Sequence, residues 1–185
     1  MTLLLRLVWV LLRHRSRARC DAFGPCSSPF VVLPSDIDVL FHVNNGVYLS
    51  MLDAARVDMM LRSGFAGLVR RAGYYPVVAA ETIRFRRSLK LFERFRVDTR
   101  VLGWDEKAFV LEHRFMLGDT LAAEAVVRIR FLKRTGGGVD TALVLELAGK
   151  KDATAPALPE WIAAWNLAQS GGTTAPPAGG IGSAR

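Results

Sequence analysis

Apolar residues change their spacing once along this chain. Over residues 46–62, Tyr48, Leu52, Ala55 and Met59 recur at i, i+4, i+7 and i+11, the spacing of one buried face of an amphipathic helix, and Gly64 supplies a stop. After about Pro76 the period becomes two. Thr82, Arg84 and Arg86 alternate with Ile83, Phe85 and Arg87, and Phe95, Val97, Thr99 and Val101 alternate with Arg94, Arg96, Asp98 and Arg100. Phe109, Leu111, His113, Phe115 and Leu117 are set against Glu112 and Arg114, and Ala125, Val127, Ile129 and Phe131 against Glu124, Arg128 and Arg130. Such alternation marks half-buried strands. Short connections at residues 103–106 and 118–119 predict hairpins, so adjacent strands should pair antiparallel. The pattern predicts an α+β fold, a curved antiparallel sheet wrapped around one long central helix.

The flanks add less. Residues 30–33 read as a first strand before Pro34, and residues 36–45 as a loop. Gly136, Gly137 and Gly138 predict a flexible break, residues 141–147 one more short strand, and residues 158–165 a terminal helix with Pro159 at its start. Gly, Pro, Thr and Ala dominate from Gln169 onward, which predicts a disordered tail. The resulting division is an apolar and basic segment over 1–27, one domain over 28–150, a helix over 151–168 and a tail over 169–185.

Length and composition suit a single core, since 51% of the 185 residues are hydrophobic and no 20-residue apolar run occurs. The formal charge of +8 suggests nucleic acid until it is located. Arg6, Arg13, Arg15, Arg17 and Arg19 carry five of those charges before the first acid, leaving +3 for the rest, with no basic helix or aromatic platform. No nucleic-acid partner is expected. Residues 3–12 are apolar except Arg6, too short to span a bilayer, and the arginines follow the apolar run instead of preceding it, the wrong order for secretion. Two readings stay open: a helix lying on an anionic membrane surface, or one packed on the domain or a partner subunit. Cys20 and Cys26, with five residues between them and no nearby His pair, predict free thiols in a reducing compartment. The expected location is cytoplasmic, peripheral at a membrane if the N-terminal segment inserts. His14, His42 and His113 are scattered without an H-E-x-x-H, so neither metal nor other cofactor is expected.

The chemistry concentrates at residues 38–45, where a carboxylate, an imidazole and two amides run into the start of the helix. Asn44 or Asn45 is a natural N-cap, and the first turn should aim free N–H groups and the positive end of the dipole at the loop, where an oxyanion could be held. Asp38 taken alone could equally form an Asx-turn. The string Asp36-Ile-Asp38-x3-His42-Val43-Asn44-Asn45-x2-Tyr48-Leu49-x3-Asp53-x2-Arg56 resembles the signature of hotdog-fold acyl-CoA thioesterases of the 4-hydroxybenzoyl-CoA thioesterase type. A second block, from Arg86-Arg87-Ser88-Leu89 through Gly103-Trp104-Asp105 to Phe115, is similar to the branch containing thioesterase superfamily member six. The resemblance covers roughly residues 30–133.

That resemblance implies a hotdog fold, an acyl-CoA substrate, and a homodimer or higher even oligomer whose sheets continue edge to edge with sites between subunits. It makes Asp38 the carboxylate that activates water or attacks the thioester, Asn45 the oxyanion-binding N–H, and Asp36 a loop-structuring residue. Asn44 caps or holds the loop, Tyr48 lies on the substrate side, and His42 either orients a proton or merely closes the loop. Arg84, Arg86 and Arg87, with Lys90, could meet the phosphates of coenzyme A or be a solvated strand face. Asp53 with Arg56 and Asp58 with Arg62 read as exposed one-turn ion pairs, with a second catalytic carboxylate at Asp53 as the lesser reading. Leu40 stands where some plant acyl-carrier-protein thioesterases carry a polar Asn, which keeps alive a non-catalytic acyl-CoA or lipid binding protein at a membrane surface.

Overall fold

The computed structural model describes residues 2–170. In chain order the elements are α1 (Thr2–Arg13), β1 (Cys26–Val31), α2 (Asn45–Arg62), α3 (Phe65–Arg71), β2 (Tyr74–Phe85), β3 (Arg94–Trp104), β4 (Phe109–Leu117), β5 (Thr120–Lys133), β6 (Gly138–Val139), α4 (Thr141–Leu147) and α5 (Glu160–Ser170). The expected tail from 169 lies almost wholly outside the described residues.

The strands form one open, curved sheet in the order β1-β3-β4-β5-β2, with β6 paired to β5, and every pairing is antiparallel. β3, β4 and β5 form the expected meander. β2 departs from it, pairing with β5 at the far edge instead of with β3. The reason lies in the linker after Phe85: Arg86 and Arg87 both donate their N–H to Ala122 O, and Leu89, fully buried, carries the chain across to the other edge.

α2 lies on one face of this sheet. Tyr48, Leu52, Ala55 and Met59 are all buried, joined by Met51 one turn from Ala55. The inward residues of β3 and β4 meet them, including Val97, Thr99, Leu111, His113 and Phe115. Each large apolar side chain so buried contributes roughly 1.5–3 kcal/mol. α5 covers the opposite face, where Ile162 packs with Val110 and Val126. Arg128 ties α5 down by donating to Asp105 Oδ2 (2.5 Å) and to Asn166. α4 falls where a strand was expected. Thr141, Val144 and Leu145 are its buried residues, an i, i+3, i+4 set that β-rich composition concealed. β1 begins four residues earlier than expected, and Pro29 is tolerated because β1 is an edge strand. Gly136 and Gly137 lie in a tight turn between β5 and β6, with Gly138 opening β6, rather than in a flexible break, and Lys133 N–H donates to Gly137 O at 3.0 Å.

The N-terminal segment is built into the domain. Leu7 and Val10 pack inward, and Arg6, 7% exposed, pairs with the fully buried Asp36. Cys20 and Cys26 form a disulfide with their Cα atoms 5.6 Å apart, which corrects the free-thiol expectation and removes its argument for a reducing compartment. The turn between them needs Gly24, whose φ is +78° and whose missing Cβ would lie 2.5 Å from Thr99 O. Asp58 and Arg62 are likewise no exposed pair. Asp58 is fully buried, and its Oδ2 accepts from Arg17 (2.7 Å), Arg62 (3.0 Å) and Ser28 (2.6 Å). Sequence spacing showed the one-turn pair; only the fold brings Arg17 and Ser28 to it. Among the described residues no helix is long and apolar enough to cross a membrane.

Candidate active site

Residues 36–44 form a small closed loop. Ile37 and Val43 bridge antiparallel, Asp38 N–H donates to His42 O (3.1 Å), and Phe41 N–H returns to Asp38 O (3.0 Å), with Phe41 at φ +60°. Asp36 is its anchor: its Oδ2 accepts Leu33 N–H at 2.8 Å, and its carbonyl accepts Asn44 N–H at 2.9 Å. The loop-structuring part expected of Asp36 matches this geometry. Leu89 holds the other side by accepting Val43 N–H at 3.0 Å.

At the tip, Asp38 Oδ1 accepts Leu40 N–H (2.9 Å), an Asx-turn, while Oδ2 accepts no bond from the described residues. One carboxylate oxygen shapes the loop and the other stays available. His42 Nδ1 lies 3.8 Å from Asp38 Oδ1 and 3.4 Å from Val43 O, beside the carboxylate without a short bond to it. Val39, Leu40 and Phe41 are all strongly exposed, so the protomer leaves this tip uncovered.

Of the two candidate caps, Asn44 is the one used: its Oδ1 accepts Gly46 N–H at 2.9 Å, and its carbonyl accepts Val47 N–H. Asn45 is exposed, and its N–H donates to none of the described residues. A free donor at the positive end of an 18-residue helix thus sits two residues beyond Val43, beside the Asp38 loop. Tyr48 faces the core instead of solvent. Its hydroxyl accepts Leu89 N–H (3.3 Å), its ring meets Phe85 and Phe115 edge-on, and burial raises its pKa. It supports the start of α2 from within.

The three arginines are exposed but engaged. Arg84 stacks 4.1 Å over the Trp161 ring, Arg86 pairs with Glu124 at 2.7 Å, and Arg87 with Glu93 at 3.0 Å. Any phosphate meeting Arg86 or Arg87 exchanges with those carboxylates.

The Asp53–Arg56 pair forms as the spacing predicted, but it is not exposed throughout, and its extension to His113 and Thr99 escaped sequence reasoning. Asp53, half-exposed on α2, pairs with the buried Arg56, which donates toward His113 Nε2 at 3.5 Å. Arg56 can only donate, so the neutral ring carries its hydrogen on Nδ1 and donates it to Thr99 Oγ1 at 2.9 Å. Burial first, and the Arg56 charge second, hold the His113 pKa well below its ordinary value. Thr99 and His113 are register partners on the inward faces of β3 and β4, and two polar residues in otherwise apolar inward stripes were the available signal.

Asp53 and Arg56 also line an apolar cavity of about 320 Å³ enclosed by α1, α2 and the sheet, with Met60, Val78, Phe109 and Phe131 among its walls. A more open groove of about 620 Å³ lies between α1, β1 and β3. Neither is lined by Asp38, His42 or Asn45. Among the described residues no group of three or more His, Cys, Asp or Glu side chains is gathered for a metal.

Residues 32–166 match the Thioesterase-like superfamily. The chain is 38% identical over 135 residues to Protein THEM6 of Xenopus laevis and 37% over 134 residues to that of Danio rerio, matches that cover 73% and 72% of this chain. They span 64% and 65% of those relatives' own lengths, just under two thirds. Among solved structures, the YbaW probable thioesterase from Escherichia coli superposes with a TM-score of 0.63 at 21% identity, covering 68% of this chain and 96% of that one. The BH1999 gentisyl-coenzyme A thioesterase gives a TM-score of 0.59 at 17% identity, covering 65% and 99%. At such identities the likeness is one of fold. It is the hotdog arrangement of sheet and central helix, and with the superfamily matched over well more than half of its length, this chain belongs to the thioesterase-like superfamily.

Proposed function

We propose that this chain hydrolyses an acyl-CoA thioester to the free acid and coenzyme A. The observation that supports the reading is a loop locked by Asp36 that carries the Asp38 carboxylate with one oxygen free and, seven residues on, runs straight into the first turn of α2, where Asn45 N–H is unpaired among the described residues. Asp38 removes a proton from the water that attacks the carbonyl, or attacks the carbonyl itself to form a mixed anhydride that water then opens, and in either case water supplies the acid's hydroxyl and the thiol's proton. The tetrahedral oxyanion is held by Asn45 N–H and the helix dipole, the C–S bond breaks, and the thiolate leaves with a proton. His42 stands beside the carboxylate to orient or relay that proton. Arg84, Arg86 and Arg87 form the basic strip for the phosphates of coenzyme A, and Asn44 fixes the loop to the helix.

A second placement of the carboxylate is favoured by the cavity. Asp53 lies at its wall, eight residues along α2 from Asn45, about 12 Å at 1.5 Å per residue. One thioester carbonyl cannot serve both ends. The cavity has about twice the volume of a 150 Å³ apolar site that holds benzene, room for roughly a dozen non-hydrogen atoms of an aliphatic chain. An acyl-CoA panel of graded chain length, with free thiol detected, tests the function. Thiol release is expected, rising to a medium-length optimum. Tight binding of acyl-CoA without release would support the non-catalytic binding protein instead.

The free edge strand β2 carries Tyr75, Val78 and Phe85 exposed, and pairing of two such edges would cover that edge. A homodimer or higher even oligomer is therefore expected in light scattering at micromolar protein. A stable monomer of 20.4 kDa would sink an interface site. The outward apolar face of α1 supports a peripheral place at an anionic membrane surface.

A further inference from the structure

A helix on the surface of a globular domain ordinarily turns its apolar stripe inward and its charge outward. α1 does the reverse. Arg6, its one charged residue before Arg13, is buried against Asp36, while Leu4, Leu5, Val8, Trp9, Leu11 and Leu12 are exposed. Inward packing uses positions 6, 7 and 10. Leu5, Val8, Trp9 and Leu12 repeat at i, i+3, i+4 and i+7 on another side, a second apolar stripe left exposed to solvent.

That stripe runs into the groove of about 620 Å³. Leu5 and Trp9 form one wall, Phe30, Val31, Leu33 and Met116 are among the facing apolar residues, and every ionisable residue lining it is an arginine. Arg6 is neutralised by Asp36, and Arg96 shares its charge with Asp98 at 3.1 Å. Arg94 has no acidic partner among the described residues. Arg13, exposed at the end of α1, and Arg15 and Arg19, exposed beyond it, extend the same sign of charge.

We infer that the outer side of α1 and this groove together dock on an anionic bilayer, with one phospholipid chain in the groove and its phosphate on Arg94 and Arg96. This deepens the membrane reading above by naming the surface, and stands whether or not the chain hydrolyses thioesters. The groove has roughly four times the volume of the apolar cavity that holds benzene, enough for one acyl chain and part of a headgroup. Guanidinium forks suit phosphate oxygens. A second copy docked face to face would set Arg94 and Arg96 against their own counterparts, which disfavours that occupant.

The test uses the full chain with phosphatidylcholine vesicles and with vesicles that also contain phosphatidylserine. Flotation gives the bound fraction, and lipids brominated on the acyl chain quench a tryptophan that reaches them. The signal lost between the parent and Trp9→Phe isolates Trp9 from the other three tryptophans. The parent is expected to bind the anionic vesicles with Trp9 quenched. Arg94→Gln/Arg96→Gln should weaken partition roughly thirtyfold, the effect of removing two cationic residues at such a surface. Arg70→Gln/Arg71→Gln, the same charge removed at the end of α3, should stay within a factor of about two if it lies beyond the screening length. Equal loss in both pairs, no vesicle binding by the parent, or bound protein with Trp9 unquenched would each overturn the inference. So would a change in the lipid-free mass of Arg94→Gln/Arg96→Gln, which would make a second copy the occupant. The readout is partition, so an active hydrolase can fail this test and an inactive one can pass it.

Discussion

Asp38→Asn is expected to lower acyl-CoA hydrolysis at least about a hundredfold with the fold intact, the usual size of the loss when a general base or nucleophile is removed. The substitution is nearly isosteric, and the amide oxygen of Asn can still accept Leu40 N–H, so the Asx-turn survives while the charge goes. A thermal melt within about 2 °C of the parent checks the fold on the scale where 1 kcal/mol moves Tm by a few degrees. Free-thiol release under kcat/KM conditions reads the chemistry. Asp53→Asn is the companion, because it removes the only other carboxylate under consideration. A fall at Asp53 with near-parent turnover at Asp38 would move the reacting carbonyl to the cavity. It would also leave Asp38 as a turn-forming residue.

The second large effect concerns stability. Asp58→Asn should destabilise the protein by about 3–5 kcal/mol, because breaking a buried ion pair leaves an uncompensated charge in a low-dielectric site. Here two guanidinium groups, Arg17 and Arg62, and the Ser28 hydroxyl converge on one oxygen of a fully buried carboxylate. Their other donors bond to the Ser27 and Ala18 carbonyls, so the same loss loosens the segment joining α1 to β1. In a chain of 185 residues the shift in Tm should be about 10 °C, and a drop of under 1 kcal/mol in urea unfolding would show the pair to be superficial. The exposed pair of Arg86 and Glu124 offers a contrast, since exposed pairs contribute about 0–1 kcal/mol.

These two residues show where sequence reading stops. The turn at Asp38 was legible because the loop is local: eight consecutive residues contain the carboxylate, the imidazole, the cap and the first helical N–H, and a hydrogen bond two residues long needs no distant partner. Asp58 was not, because its spacing to Arg62 is the same whether the pair lies in water or in the core. Which applies depends on Arg17 and Ser28, 41 and 30 residues away.

By itself the sequence determined the periodic parts: the buried face of α2, the inward and outward residues of β3, β4 and β5, and the loop running into an Asn-capped helix start. Side-chain period follows directly from backbone geometry, and burial of one face follows from the period. Tertiary structure decided the rest. It sent β2 to the far edge beside β5, made a helix of residues 141–147, joined Cys20 to Cys26, and turned Arg6 inward so that the apolar side of α1 faces out. Each of these depends on which residues meet across long stretches of chain, and a buried Arg draws its compensation from a carboxylate that only folding brings within reach.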